Sequence, residues 1–60
     1  MKLIVTYKSD VLGNGQFWTG DESEIASIKN FVAQDLARAV VKTGMPQSAG
    51  MWEVSPVKGE

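Results

Sequence analysis

The segment DESEIASIKNFVAQDLARAVVKTGMP, residues 21–46, decides the fold, because it carries the signals that start and end one helix and so set its length. Asp21 is a favourable N-cap residue, and Glu24 three positions later completes the pattern of a capping box. Gly44 suits the left-handed backbone position that follows a helix. These signals predict a single long helix over residues 22–43.

Three strands are predicted around this helix. Residues 2–8 are rich in β-branched side chains and place apolar residues at every second position, which is typical of a strand with one buried face. Residues 16–19 are predicted to return beside them, because Gly13-Asn14-Gly15 tolerates the positive φ angles of a hairpin turn. Residues 51–55 are predicted to form the third strand.

The predicted order of elements is therefore β-β-α-β. We expect one α+β domain over residues 1–60, in which a three-stranded antiparallel sheet packs one face against the long helix. The helix returns the chain to the start of the sheet, so the third strand is expected beside the first.

Two apolar tracks run along the predicted helix. The larger one is expected to face the sheet and comprises Ile25, Ile28, Val32, Leu36, Ala39 and Val40. The smaller one is a candidate for self-association and comprises Ala26, Ala33, Ala37 and Val41. Small side chains let a second helix approach closely, although alanine is also a good helix former on a solvated face. A 60-residue core rarely supplies more than roughly 3–5 kcal/mol, which favours a homodimer.

Four residues are candidates for contact with a partner. Trp18 and Trp52 fit either a small core or a binding hot spot, and Phe17 is expected on the opposite face from Trp18. Ile4 is expected on the sheet face that the helix leaves open. Asp35 lies at the edge of the larger helix track, either as a paired charge or as a charge that sets specificity at an interface.

The composition disfavours most catalytic chemistry. The chain has no His and no Cys, so the usual general base, the soft metal ligands and disulfides are missing together. Glu22 and Glu24 lie two positions apart on a helix and do not share a face. We therefore expect no enzyme activity, no catalytic, cofactor or metal site, no membrane span and a cytoplasmic location.

The predicted function is that of a non-catalytic interaction protein that binds and modulates a protein partner as a homodimer. Such small, acidic, Cys-free chains are similar in type to accessory proteins of bacteria or their phages, including inhibitors, although no motif identifies a family. One alternative is a module for single-stranded nucleic acid, with stacking on sheet aromatics supplied by Tyr7, Phe17, Trp18 and Trp52. The net charge of −1 and the scattered basic residues disfavour that alternative. The other alternative is a structural subunit of a larger assembly.

Overall fold

The sheet is antiparallel and is built around the N-terminal strand. A computed structural model describes residues 1–57, and its four strands are β1 (Lys2–Tyr7), β2 (Gly15–Asp21), β3 (Gln47–Ala49) and β4 (Trp52–Pro56). Their spatial order is β2-β1-β4-β3. The α+β class, the antiparallel pairing of the first two strands and the position of the last strand beside the first are confirmed. The predicted tight turn at Gly13-Asn14-Gly15 is wrong, because Gly15 already pairs with Tyr7 and residues 8–14 form the connection. The prediction of three strands is wrong, because the sheet has four.

The additional strand, β3, is short and forms the sheet edge. Gln47 lies opposite Val54 and Ala49 lies opposite Trp52, with Gly50 at a φ of 60° in the turn between the two strands. The segment Gln47-Ser48-Ala49 contains no β-branched or aromatic residue, so local propensity does not indicate a strand. Pairing with β4 imposes the extended conformation on it.

The predicted long helix is divided into two elements. A 3-10 helix spans Glu22–Ser27, and the α-helix α1 spans Phe31–Thr43. The side chain of Asn30 starts the second element by accepting a hydrogen bond of 3.0 Å from the backbone N–H of Ala33. Within residues 1–57, neither helix combines the length and the hydropathy that crossing a bilayer requires.

The predicted signals at both outer ends of this region are present. The backbone N–H of Asp21 donates to the Glu24 carboxylate at 3.0 Å, which is one arm of the capping box. Gly44 has a φ of 74° and donates its N–H to the Val40 carbonyl, which ends α1 as predicted. The break in the middle is stabilised by Gln34, whose side-chain amide donates to the carbonyls of Ile25 and Ile28 at 3.3 Å.

The core lies between the sheet and the two helices. Its buried apolar residues are Leu3, Val5, Ile25, Ile28, Ala33, Ala37, Val40 and Val54. The predicted assignment of the helix faces is wrong in part, because Ala33 and Ala37 are fully buried whereas Val32 is 46% exposed. The break before α1 resets the helical phase, so Ile25 and Ile28 no longer share a track with Val32. Alanines against the sheet let α1 pack closely on it.

Candidate partner-binding groove

A β-bulge in β2 gives one end of the sheet an unusual arrangement of aromatic residues. Val5 lies opposite Trp18 and Thr6 lies opposite Gln16, so Phe17 is an extra residue without a partner in β1. A bulge interrupts the alternation of a strand and re-aims the side chains beside it. The expected placement of Phe17 and Trp18 on opposite faces is therefore wrong, since Phe17 reaches an aromatic residue on the helix side.

That aromatic residue is Trp52 in β4. Its ring centroid lies 4.7 Å from that of Phe17 and 4.8 Å from that of Tyr7, with interplanar angles of 80° and 65°. Edge-to-face contacts of this kind are the favoured geometry for aromatic pairs. Tyr7 and Trp52 are also directly opposite each other in the β1–β4 ladder, so the backbone register fixes their contact.

The three rings form the wall of an open groove. Its volume is about 330 Å³, and its lining is completed by Gly15 and Gln16 at the start of β2. Phe17 is 42% exposed and Trp52 is partly buried, so the rings are held by the fold and still reach solvent. Small-molecule and peptide sites are typically apolar concavities of this size or larger.

None of the residues that line the groove is charged. The nearest charges along the strands are Lys8, which follows Tyr7, and Glu53, which follows Trp52. Side chains alternate across a strand, so both lie on the opposite face of the sheet, where their charged groups pair at 3.2 Å. The groove therefore favours an uncharged, apolar ligand.

The loop between β1 and β2, whose two ends line the groove, presents two further apolar side chains. Val11 is 90% exposed and Leu12 is 84% exposed, and we call this pair the loop tip. The Ser9 hydroxyl accepts hydrogen bonds from the backbone N–H groups of both, at 3.3 and 3.0 Å. The Gly13 N–H closes the turn on the Ser9 carbonyl at 2.9 Å. The loop tip is thus held in a defined turn.

The predicted partner-binding residues occupy different parts of the molecule. Of the four, Trp52 lines the groove. Trp18 packs against the core, and its indole N–H donates to the Ser27 hydroxyl at 3.0 Å. Ile4 is half-buried on the opposite face of the sheet, and Asp35 is exposed and paired with Arg38 at 3.0 Å. Sequence reasoning did not single out the loop tip.

The predicted self-association residues do not form an open track on the helix. Ala33 and Ala37 are buried under α1, so a second helix cannot reach them in the folded chain. Val41 is partly buried and packs against the same core, whereas Ala26 is exposed on the 3-10 helix. The homodimer stays a prediction, but this pair of alanines does not supply its surface.

Comparison with known proteins adds no relative to this picture. No family model, curated protein or solved structure matches the chain. Among residues 1–57, no three acidic side chains are grouped so that they could hold a metal ion. The groove and the loop tip are therefore the candidate functional surfaces of the described residues.

Proposed function

We propose that the protein is a non-catalytic interaction protein whose groove binds an apolar segment of a protein partner and thereby alters that partner's activity. The observation that carries this proposal is the open groove between Tyr7, Phe17 and Trp52, which is lined without a charged side chain. Tryptophan and tyrosine are enriched at binding hot spots, because they combine a large apolar surface with little conformational freedom.

The size of the groove supports a ligand with one or two apolar anchors. Burying one aliphatic side chain contributes about 1.5–3 kcal/mol, which gives a short anchor measurable but modest affinity. Interfaces of small area belong to weak or transient complexes. The rings already contact one another, so the ligand does not need to order them before it binds.

A nucleic-acid ligand fits the same site less well. Stacking requires a freely exposed ring face, but Trp52 is partly buried and packs edge to face with both Tyr7 and Phe17. Phosphate contacts require cationic side chains, and the Lys8 ammonium pairs with Glu53 on the far side of the sheet. The proposal therefore favours a protein over single-stranded nucleic acid.

A peptide-display selection against the immobilised protein tests the proposal. We expect the enriched peptides to share an aliphatic or aromatic anchor and to carry little net charge. Phe17→Ser removes one wall of the groove and should weaken binding of these peptides at least about tenfold, the effect of losing one well-buried apolar contact. Phe31→Ser is the matched control, because Phe31 is 80% exposed on α1 and does not line the groove.

Two results would contradict the proposal. Equal loss of binding in both variants would mean that the peptides recognise exposed apolar surface in general. Binding of short single-stranded oligonucleotides at low salt, lost steeply as salt is raised and lost in Phe17→Ser, would instead assign the groove to nucleic acid.

A further inference from the structure

We infer that a second copy of this chain is a ligand of the groove. The loop tip of each copy lies between Tyr7, Phe17 and Trp52 of the other copy. This inference rests on the proposed function of the groove as an apolar protein-binding site. It names the occupant, which is the pair Val11 and Leu12.

The loop tip has the properties of a ligand. Its two aliphatic side chains are almost completely exposed, although apolar surface of this kind is favourably removed from water. The Ser9 hydroxyl and the Gly13 N–H hold the backbone of the turn, so docking orders little additional chain. A ligand that is already ordered binds more tightly than a flexible one of the same composition.

The loop tip and the groove match in charge. The two aliphatic side chains are a small apolar ligand, and the groove is an open apolar concavity of about 330 Å³. Neither surface includes a charged side chain, and the net charge of −1 produces little repulsion between two copies.

Their placement in the chain favours a closed pair. The loop tip lies in the connection between Tyr7 and Gly15, both of which line the groove, so the two surfaces are neighbours at one end of the sheet. A two-fold axis at this end lets each copy give its loop tip and receive the other. Such an isologous contact ends at a dimer and does not propagate into a fibre.

The occupant is not the loop tip of the same copy in this structure. Val11 and Leu12 remain exposed and neither lines the groove. The contact between two copies is small, which predicts a weak dimer.

Analytical ultracentrifugation over a concentration series, from low micromolar to millimolar, tests the inference. The wild-type protein should change from monomer to dimer across the series. Leu12→Ser removes one of the two side chains of the loop tip and Phe17→Ser damages the groove, so each variant alone should remain monomeric. Met45→Ser is the control, because Met45 is 65% exposed but belongs neither to the groove nor to the loop tip.

A mixture of the two variants provides the sharper test. The Phe17→Ser copy keeps its loop tip and the Leu12→Ser copy keeps its groove, so the mixture restores one of the two contacts. We expect a heterodimer in the mixture, weaker than the wild-type dimer, at concentrations where either variant alone is monomeric. A general loss of folding or solubility would not be repaired by mixing.

Three outcomes would overturn the inference: a wild-type protein that stays monomeric, a Leu12→Ser variant that still dimerises, or a mixture without heterodimer. If selected peptides still bind the groove of a monomeric wild-type protein, self-association fails and the proposed function stands. If neither peptides nor a second copy bind there, both fail.

Discussion

The regions around Trp18 and Trp52 show what closes an aromatic site and what leaves one open. The two residues lie opposite Val5 and Tyr7, which are two positions apart in β1, so both face the helix side of the sheet. The indole N–H of Trp18 donates a hydrogen bond to the hydroxyl of Ser27 in the 3-10 helix. Trp52 instead contacts the rings of Tyr7 and Phe17 and lines the open groove.

The difference arises from two small residues. Gly20 leaves room for the Trp18 ring, since a Cβ atom at that position would lie 2.5 Å from Cζ2 and 2.7 Å from Cη2 of the indole. Ser27 accepts the indole N–H and donates its own hydroxyl to the Glu24 carbonyl at 2.7 Å. An aromatic side chain with a polar partner and room beneath its ring thus becomes part of the packed structure, whereas one without them stays open to solvent and is a candidate surface for binding.

The largest effect is expected from Gly20→Ala, which fills the space under the Trp18 ring. The ring must lift, and the hydrogen bond to Ser27 is then stretched or broken. We expect a loss of about 2 kcal/mol in the free energy of unfolding, typical of an overpacked site. For a domain of this size, that corresponds to a melting temperature lower by roughly 8–16 °C, measured by circular dichroism.

Gly15→Ala is the control for this substitution. Gly15 lies in the same strand, its φ is not positive, and a Cβ atom there would meet nothing within 4 Å. The melting temperature of the Gly15→Ala variant should therefore stay close to that of the wild-type protein. If the two variants are equally destabilised, the cost comes from replacing glycine in β2 and not from contact with Trp18.

An intermediate effect is expected from Ser27→Ala, which removes the acceptor of the indole N–H. A side-chain hydrogen bond of this kind typically contributes about 1 kcal/mol to stability. Urea denaturation should show this loss, whereas Ser23→Ala in the same 3-10 helix should show little. In a Trp18→Phe background, which lacks the indole N–H, Ser27→Ala should cost clearly less. An unchanged cost in that background would assign the effect to the bond between Ser27 and Glu24.

The parts of the fold that could be predicted from sequence are those with local signals. The capping residues Asp21 and Glu24 and the end of the helix at Gly44 are each set by a few neighbouring residues. The position of β4 beside β1 follows from the order of the elements. These features require no knowledge of contacts between distant residues.

The remaining features depend on tertiary contacts. β3 is extended because it pairs with β4, and the helix breaks where the Gln34 amide and the Asn30 cap satisfy the free backbone groups. The same break rotates Ala33 and Ala37 towards the sheet. Helical periodicity assumed across the whole of residues 22–43 therefore assigned these alanines to the wrong face.

Prediction of the candidate site was limited in the same way. Trp52 could be named from composition, but the bulge that brings Phe17 to it depends on the register between β1 and β2. Trp18 could not be distinguished from Trp52, because Ser27 comes near it through the fold. The exposed pair Val11 and Leu12 beside a glycine turn was the available signal for the loop tip.

The smallest effect on folding is expected in the open region, from Leu12→Ser. Because Leu12 is 84% exposed, its replacement should change the free energy of unfolding of the monomer by less than about 0.5 kcal/mol. Dimerisation stabilises the folded state by mass action, so the melting temperature of the wild-type protein should rise with protein concentration. The melting temperature of Leu12→Ser should not rise with protein concentration.

The Gly20→Ala variant is the control. Its melting temperature should be lower than that of the wild-type protein at every concentration and should still rise with concentration, because the substitution leaves the groove and the loop tip intact. Destabilisation of Leu12→Ser in dilute solution would show instead that the loop tip belongs to the folding core, and the contrast between the two tryptophan regions would then be lost.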